Sequence, residues 1–206
     1  MPSTRYRTLS RRVSELRRNL LPANFNSTGL YSDRVHERTR AFRVLAHAEF
    51  EAYIEDRVIE VVHRAHLEWN RDGTIRPCLL ALMSHRDSRL DIPDSLTELR
   101  DRNGAKYPTL KSRVEAAKRQ YSTYVRTNNN GIKERNLLLL LLPLGVTKEE
   151  IDTEWLNDTE VWATARGEVA HTSAKMQIQV DPRVELSTVK NVLDGFKLID
   201  GILEDK

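Results

Sequence analysis

The chain has 206 residues, of which 39% are hydrophobic and 31% are charged, which fits one globular domain, with or without an extension, and a heavily solvated surface. The single cysteine, Cys78, excludes a disulfide within the chain and a zinc site built from cysteines, and it fits a reducing cytoplasm. The first residues lack the apolar stretch of a signal peptide, and the leucine run Leu137–Leu142 is far shorter than the ~20 apolar residues of a membrane span.

Positive charge is concentrated at the start of the chain. The formal net charge is only +3 at pH 7, but residues 1–20 contain six arginines and a single acid, Glu15. Arginine outnumbers lysine 24 to 9, and a guanidinium binds phosphate through two parallel hydrogen bonds. The arginine-rich start therefore indicates either a polyanionic partner or an ordinary solvated helix face.

Apolar residues recur every three or four positions through nearly the whole chain, which predicts an all-α fold. The longest predicted helix begins at Asp33 as its N-cap and carries one apolar stripe, as expected of the spine of a helical bundle. The predicted helices cover residues 4–21, 33–69, 75–84, 109–126 and 132–142, followed by a short helix through Trp155, one over 161–174 and one over 184–203.

Three stretches depart from this periodicity. Residues 86–107 combine a proline, a glycine and many charges, which predicts an irregular insertion with one short helix. Thr147 followed by Glu150 has the pattern of a capping box that starts a helix. Residues 176–180 alternate between apolar and polar, which predicts an extended segment.

The chemical candidates are Arg166 and His171, an arginine and a histidine separated by four residues. This pattern alone is weak, because 24 arginines and 6 histidines in 206 residues give about two chance matches at the three spacings that the loose motif allows. Two further matches lie in the predicted spine helix, where a solvated or core-edge pair is the simpler interpretation. They are Arg40 with His47 and Arg57 with His63.

The surrounding sequence distinguishes Arg166 from the other two arginines. The stretch NNNGIKERNLLLLLLPLGV at residues 128–146, the Trp155-Leu156 pair and RGEVAHTSA at residues 166–174 together resemble the C-terminal half of HEPN domains. AHAEFEAYIEDR at residues 46–57 resembles the early helix of this family with its acidic residue. The resemblance is nearest to the RiboL-PSP subgroup or to a sister bacterial subgroup.

The resemblance implies an HEPN-like helical bundle that dimerises and cleaves RNA without a metal or other cofactor. We expect a basic helix with its loop over residues 1–32, and the HEPN-like domain over 33–206. Arg166 and His171 then take the positions of the paired residues of the family.

Three further residues are candidates for supporting roles in such a site. Glu51 stands at the acidic position of the family and Glu168 lies between the paired residues, so either carboxylate can orient the histidine or anchor the arginine. Glu168 also suits a solvent-facing position. Thr172 can contact phosphate, but it equally suits a fraying helix end.

RNA chemistry explains why an arginine and a histidine suit this reaction. The 2′-hydroxyl of RNA attacks the neighbouring phosphate when a base removes its proton or an acid protonates the leaving oxygen, and a histidine with a pKa of roughly 6.5 suits both roles. Arginine stays charged and offers a planar set of donors to the transition state. Five positions along a helix turn a side chain by about 140°, so we expect a two-fold dimer to close the site.

The leading hypothesis is an endoribonuclease of a bacterial defence or toxin–antitoxin system, restrained by an antitoxin or other regulatory protein. Gly167 stands where the family commonly has a polar residue, which favours the first alternative, an inactive HEPN module that binds nucleotides or RNA. The second alternative is a helical adaptor. His63 and His66 lack a third metal ligand at a suitable spacing, and we expect the tryptophans to lie in the core rather than to stack on bases.

Overall fold

The structure is a computed structural model that describes residues 1–85, 109–171 and 179–206, with the backbone alone for residues 167–171. Within these ranges the regular structure is helical, and it confirms the predicted all-α fold. The predicted insertion at 86–107 lies outside the described residues. The α-helices of the described ranges are α1 (Thr4–Leu20), α2 (Asp33–Asp72), α3 (Pro77–Ser84), α4 (Leu110–Asn128), α5 (Glu134–Leu141), α6 (Thr153–His171) and α7 (Pro182–Glu204).

Helix α2 is the spine of the bundle, as predicted. Residues at three- and four-residue spacing are buried along it, from Phe42 to Ala65, and α1, α4, α6 and α7 pack against it. Its N-cap is Ser32 rather than Asp33, which lies in the first turn where a negative charge complements the helix dipole. Gly73 ends the helix with a φ of 79°, a left-handed conformation that glycine adopts without strain.

Helix α6 is one continuous helix, and the prediction of a short helix followed by a second one is wrong. Residues 157–160 are polar but contain neither glycine nor proline, and Thr159 is completely buried, so nothing interrupts the backbone hydrogen bonds. Because Trp155, Trp162 and Arg166 are seven and four residues apart, they lie along one face of this helix.

Two turns link α5 to α6. The leucine run does not stay α-helical to its end, because its last residue begins a 3-10 turn at Leu142–Leu144 that the following Pro143 and Gly145 close. A second turn at Lys148–Glu150 carries the predicted capping box, in which the Thr147 side chain and the Glu150 carboxylate cap each other's backbone. These turns reverse the chain and direct α6 back onto α2.

An aromatic cluster fills the core between α2, α6 and α7. Phe50 stacks on Phe196 with ring centroids 5.3 Å apart, and Trp155 meets Phe196 edge-on at 5.3 Å. Trp162 contacts Phe50 at 5.7 Å, so the tryptophans of α6 belong to the core as expected. Gly195 makes room for the indole of Trp155, because a Cβ at this position would lie 2.0 Å from the indole nitrogen.

A buried ion pair joins the first helix, the spine and the last helix. Arg57, which is 1% exposed, donates from Nε to Asp200 at 2.9 Å. The same carboxylate accepts hydrogen bonds from the backbone N–H and hydroxyl of Ser3, at 2.7 and 2.6 Å, and from the Tyr53 hydroxyl at 2.9 Å. Asp200 therefore ties α7 to the N-cap of α1 as well as to α2.

Part of the basic charge of α1 is compensated by the spine helix. Arg5 pairs with Asp56 and Glu60, and Arg12 pairs with Glu49. These two arginines position α1 on α2, and both interpretations of the arginine-rich start stay predictions. Among the described helices, none combines the length and the apolar character that crossing a membrane requires.

Candidate functional site

Arg166 lies on α6 one helical turn after Trp162. Its side chain is half-buried, and its Nε atom is buried without a hydrogen-bond acceptor among the described residues. Arg64 of the spine also has a buried Nε without an acceptor, but its other guanidinium nitrogens donate to the Glu204 carboxylate and to backbone carbonyls. A buried guanidinium nitrogen without an acceptor is unfavourable, which makes Arg166 the first candidate for a ligand-binding side chain.

The facing surface of α2 presents His47 and Glu51, which are four residues apart and therefore lie one above the other. His47 is 3% exposed. Its ring lies against the indole of Trp162 with centroids 5.8 Å apart. Its Nδ1 atom is 3.7 Å from Glu51 Oε2, which is too long for a hydrogen bond.

The turn between α4 and α5 forms the third wall of the site. The Asn129 amide donates to Glu55 Oε1 at 2.7 Å, and Asn136 donates to Asn129 Oδ1 at 3.1 Å. Gly131 has a φ of 150°, and a Cβ on it would lie 3.9 Å from His47 Cε1. The imidazole is therefore held between this turn on one side and α6 on the other.

The pKa values of the α2 residues reflect both burial and the charge of Arg166. Burial, and secondly the positive charge of Arg166, lower the pKa of His47 to about 4, so this imidazole is neutral at neutral pH. Burial and the neighbouring Glu55 raise the pKa of Glu51, whereas Arg166 acts in the opposite direction. His47, Glu51 and Arg166 thus form one electrostatic unit.

This unit combines a fixed cation, a neutral imidazole and a carboxyl group with a raised pKa. Such a combination is suited to binding an anion and to placing a proton acceptor or donor beside it, and clustered perturbed groups are typical of functional sites. Among the described residues, no group of three or more His, Cys, Asp or Glu side chains could hold a metal ion.

Of the predicted site residues, Arg166 and Glu51 lie close enough across the interface between α6 and α2 for the charge of Arg166 to act on the pKa of Glu51. His171 is the last residue of α6, so it follows Arg166 on the same helix. The side chains of His171 and Glu168 and the whole of Thr172 lie outside the described residues.

Sequence reasoning misses the contribution of His47. Its spacing from Arg40 predicts a solvated or core-edge pair, and the histidine is indeed buried, but it lies beside the site. A signal is present in the sequence: Glu51 is a candidate from its context, and His47 precedes it by one helical turn. Glu55 and Asn129 carry no such signal, because the turn that joins them is a tertiary contact.

The fold and the site define an all-α protein with one long spine helix and a polar site between this spine and a later helix. The sequence matches the model of the RiboL-PSP-HEPN family over residues 7–205. The chain therefore belongs to this family of HEPN domains. No curated protein and no solved structure was found to match it.

Proposed function

We propose that this protein is a metal-independent endoribonuclease in which Arg166 binds the scissile phosphate and His171 transfers a proton. Membership of the HEPN family indicates a protein of the nuclease and RNA-binding kind. The observation that supports the proposal most is the buried Nε of Arg166 without an acceptor among the described residues. A phosphate oxygen is the kind of acceptor that a guanidinium binds best.

The proposed reaction needs only the RNA and two protein groups. The 2′-oxygen forms a bond to the adjacent phosphorus, the bond between phosphorus and the 5′-oxygen breaks, and the products carry a 2′,3′-cyclic phosphate and a 5′-hydroxyl. A base takes the proton of the 2′-hydroxyl, and an acid gives a proton to the leaving 5′-oxygen. His171 serves in one of these roles, while Arg166 stabilises the added negative charge on the transition state.

Three residues support the pair in this proposal. Glu51 faces Arg166 and orients its guanidinium toward the phosphate. Glu168 orients His171, and Thr172 contacts a phosphate oxygen. The spacing between Arg166 and His171 turns the two side chains by about 140°, so we propose that a second copy of the chain supplies the other histidine at a two-fold axis. A monodisperse monomer with full activity would contradict this composite site.

We also propose a setting for the activity. A ribonuclease without restraint harms the cell that makes it, so the protein acts in the bacterial cytoplasm as part of a defence or toxin–antitoxin system, together with an antitoxin or another regulatory protein. The alternative is an inactive RNA-binding module. Gly167 favours this alternative, because a glycine lacks the polar side chain that the family commonly has next to the arginine.

The test uses the purified full chain and labelled RNA in the presence of a chelator. We expect chelator-resistant cleavage that falls by about a hundredfold or more in Arg166→Met and in His171→Ala, with circular dichroism and melting temperature nearly unchanged. The matched controls are Arg71→Met and His63→Ala, which alter exposed residues of α2 and should cleave normally. RNA binding without cleavage would support the inactive module, and neither activity would support an adaptor.

A further inference from the structure

The imidazole of His47 has an environment that simple core packing does not explain. The ring is enclosed by Trp162, at 5.8 Å between centroids, and by the turn at Gly131. Its Nδ1 atom is completely buried and has no hydrogen-bond partner among the described residues. An apolar side chain would fill this space without leaving a polar atom unsatisfied, so packing alone gives no reason for a histidine.

The carboxylate of Glu51 lies 3.7 Å from this Nδ1 atom. This distance is longer than the donor–acceptor distance of a hydrogen bond by less than about 1 Å. The two side chains differ in freedom: His47 is 3% exposed on its side chain and held on both faces, whereas the Glu51 side chain is 23% exposed. A small rotation of Glu51 is therefore sufficient to close the gap.

Arg166 is the charged residue of α6 that acts on both members of this pair. Its charge acts on both His47 and Glu51, so an unoccupied guanidinium attracts the carboxylate of Glu51. A phosphate on Arg166 neutralises that attraction and adds a negative charge nearby. The Glu51 carboxylate can then accept a hydrogen bond from the Nδ1–H of the neutral His47 imidazole.

We infer that His47 is a positioning residue: when a phosphate occupies Arg166, the Nδ1–H of His47 donates a hydrogen bond to Glu51 and holds that carboxylate in place. The inference rests on the proposed function in one point, that Arg166 binds phosphate. His47 does not touch the RNA, since it is buried behind Trp162 and Gly131. It acts on the reaction through Glu51 alone.

Asparagine and glutamine substitutions distinguish this role from packing, because their amide nitrogens replace different ring atoms. His47→Asn places a donor near the position of Nδ1, and His47→Gln places one near Nε2. His47→Phe keeps a ring between Trp162 and Gly131 but has no donor. We expect kcat for RNA cleavage to fall by about 10- to 100-fold in the Phe and Gln variants, with KM little changed, and to recover in the Asn variant. His63→Phe, an exposed histidine of the same helix, is the matched control.

A second readout does not depend on cleavage. In protein with ¹⁵N-labelled histidine, inorganic phosphate should shift the Nδ1 resonance of His47 toward that of a hydrogen-bonded donor, and Arg166→Met should abolish this response. Cleavage activity that is equal in the Phe, Gln and wild-type proteins would overturn the inference, as would an Nδ1 resonance that phosphate leaves unchanged. If the wild type shifts with phosphate but cleaves no RNA, the proposed nuclease function fails while the hydrogen bond of His47 stands.

Discussion

His47 is a buried residue whose side chain can nevertheless gain a proton near neutral pH in the unfolded chain. Its side chain is almost completely buried, so the charged form of the imidazole is unfavourable, yet it is a histidine, whose unfolded form gains a proton below a pH of roughly 6.5. The folded protein resists that proton because burial and Arg166 lower the pKa of His47 to about 4. The site therefore makes the fold sensitive to acid.

The sign of this effect follows from proton binding. Between the unfolded pKa and the folded pKa the unfolded chain binds more protons, so stability falls as pH falls through this window. With a folded pKa of about 4, His47 alone should lower the free energy of unfolding by about 2 kcal/mol between pH 8 and pH 5. Urea unfolding of the wild type and His47→Gln at the two pH values measures this contribution as the change in the difference between them.

The charged groups around His47 must be considered when the pH dependence of the stability difference is interpreted. Glu51 lies beside His47 on the same helix, and the charge of Arg166 acts on His47 from α6. Glu55 acts on Glu51. The raised pKa of Glu51 works in the opposite direction, but it is present in both proteins and largely cancels. A difference between wild type and variant that does not change with pH would show that the pKa of His47 is nearly the same in the folded and the unfolded protein.

The sequence contains a signal for some residues of the candidate site and none for others. Arg166 and Glu51 are predicted as site residues from the sequence alone, because a motif and its flanking residues distinguish them. His47 cannot be separated from chance by the arginine–histidine spacing, since 24 arginines in the chain produce such matches at random. The contact of Asn129 with Glu55 joins positions that only tertiary packing brings together.

At the scale of helices, the packing of α7 on α6 depends on small residues at particular positions. Gly195 lies under the indole of Trp155, and a Cβ there would lie 2.0 Å from the indole nitrogen. Trp155 has little room to move, because its Nε1 donates to the carbonyl of Val192 at 3.2 Å. Gly201, on the same helix, has nothing within 4 Å of an added Cβ.

These two glycines provide a matched pair of substitutions. Gly195→Ala should lower the free energy of unfolding by about 3 kcal/mol, since overpacking forces the indole or the helix to shift. Gly201→Ala should raise it by about 0.5–1 kcal/mol, because alanine favours the helix and meets no neighbour. Chemical denaturation followed by tryptophan fluorescence measures both. Equal effects of the two substitutions would mean that α7 does not pack on Trp155 as described.

Helix positions are largely predictable from the sequence, and the failures have physical reasons. The apolar period locates α1, α2, α4 and α7 to within a few residues, since these helices carry clear buried stripes. The break predicted within α6 comes from polar residues 157–160, where the completely buried Thr159 shows that packing overrides local composition. Leu142 enters a 3-10 turn because proline and glycine follow it.

At the scale of the whole molecule, the pair of Arg57 and Asp200 joins distant parts of the chain. Asp200 is 2% exposed and accepts hydrogen bonds from Ser3 and Tyr53 as well as from Arg57. Helix α1 contributes apolar side chains to the same core as α2 and α7. The family match likewise extends from residue 7 to residue 205, so the first helix and the last helix both belong to the matched region.

Removal of one partner of this pair should lower the free energy of unfolding much more than removal of both partners. Asp200→Ala removes the buried counter-ion of Arg57, leaves it only the more exposed Glu204, and takes the acceptor from Ser3 and Tyr53. We therefore expect the free energy of unfolding to fall by about 3–5 kcal/mol. The double variant Arg57→Met with Asp200→Leu should be considerably closer to wild type. Asp56→Ala, which breaks an exposed pair with Arg5, is the control and should cost about 0.5 kcal/mol. If Asp200→Ala costs no more than this control, the buried pair does not hold the bundle together.

The attachment of α7 also has a consequence for the order of synthesis. Glu185, near the start of α7, accepts the Trp162 Nε1–H at 2.8 Å and pairs with Arg43 of the spine, so the helix that carries Arg166 is braced by a segment translated after it. A nascent chain that ends before α7 lacks this brace, and it lacks Asp200 as well. Arrested or truncated translation products should therefore lack the braced position of Arg166, and the phosphate binding proposed for this arginine should arise only once the final helix of the domain has left the ribosome.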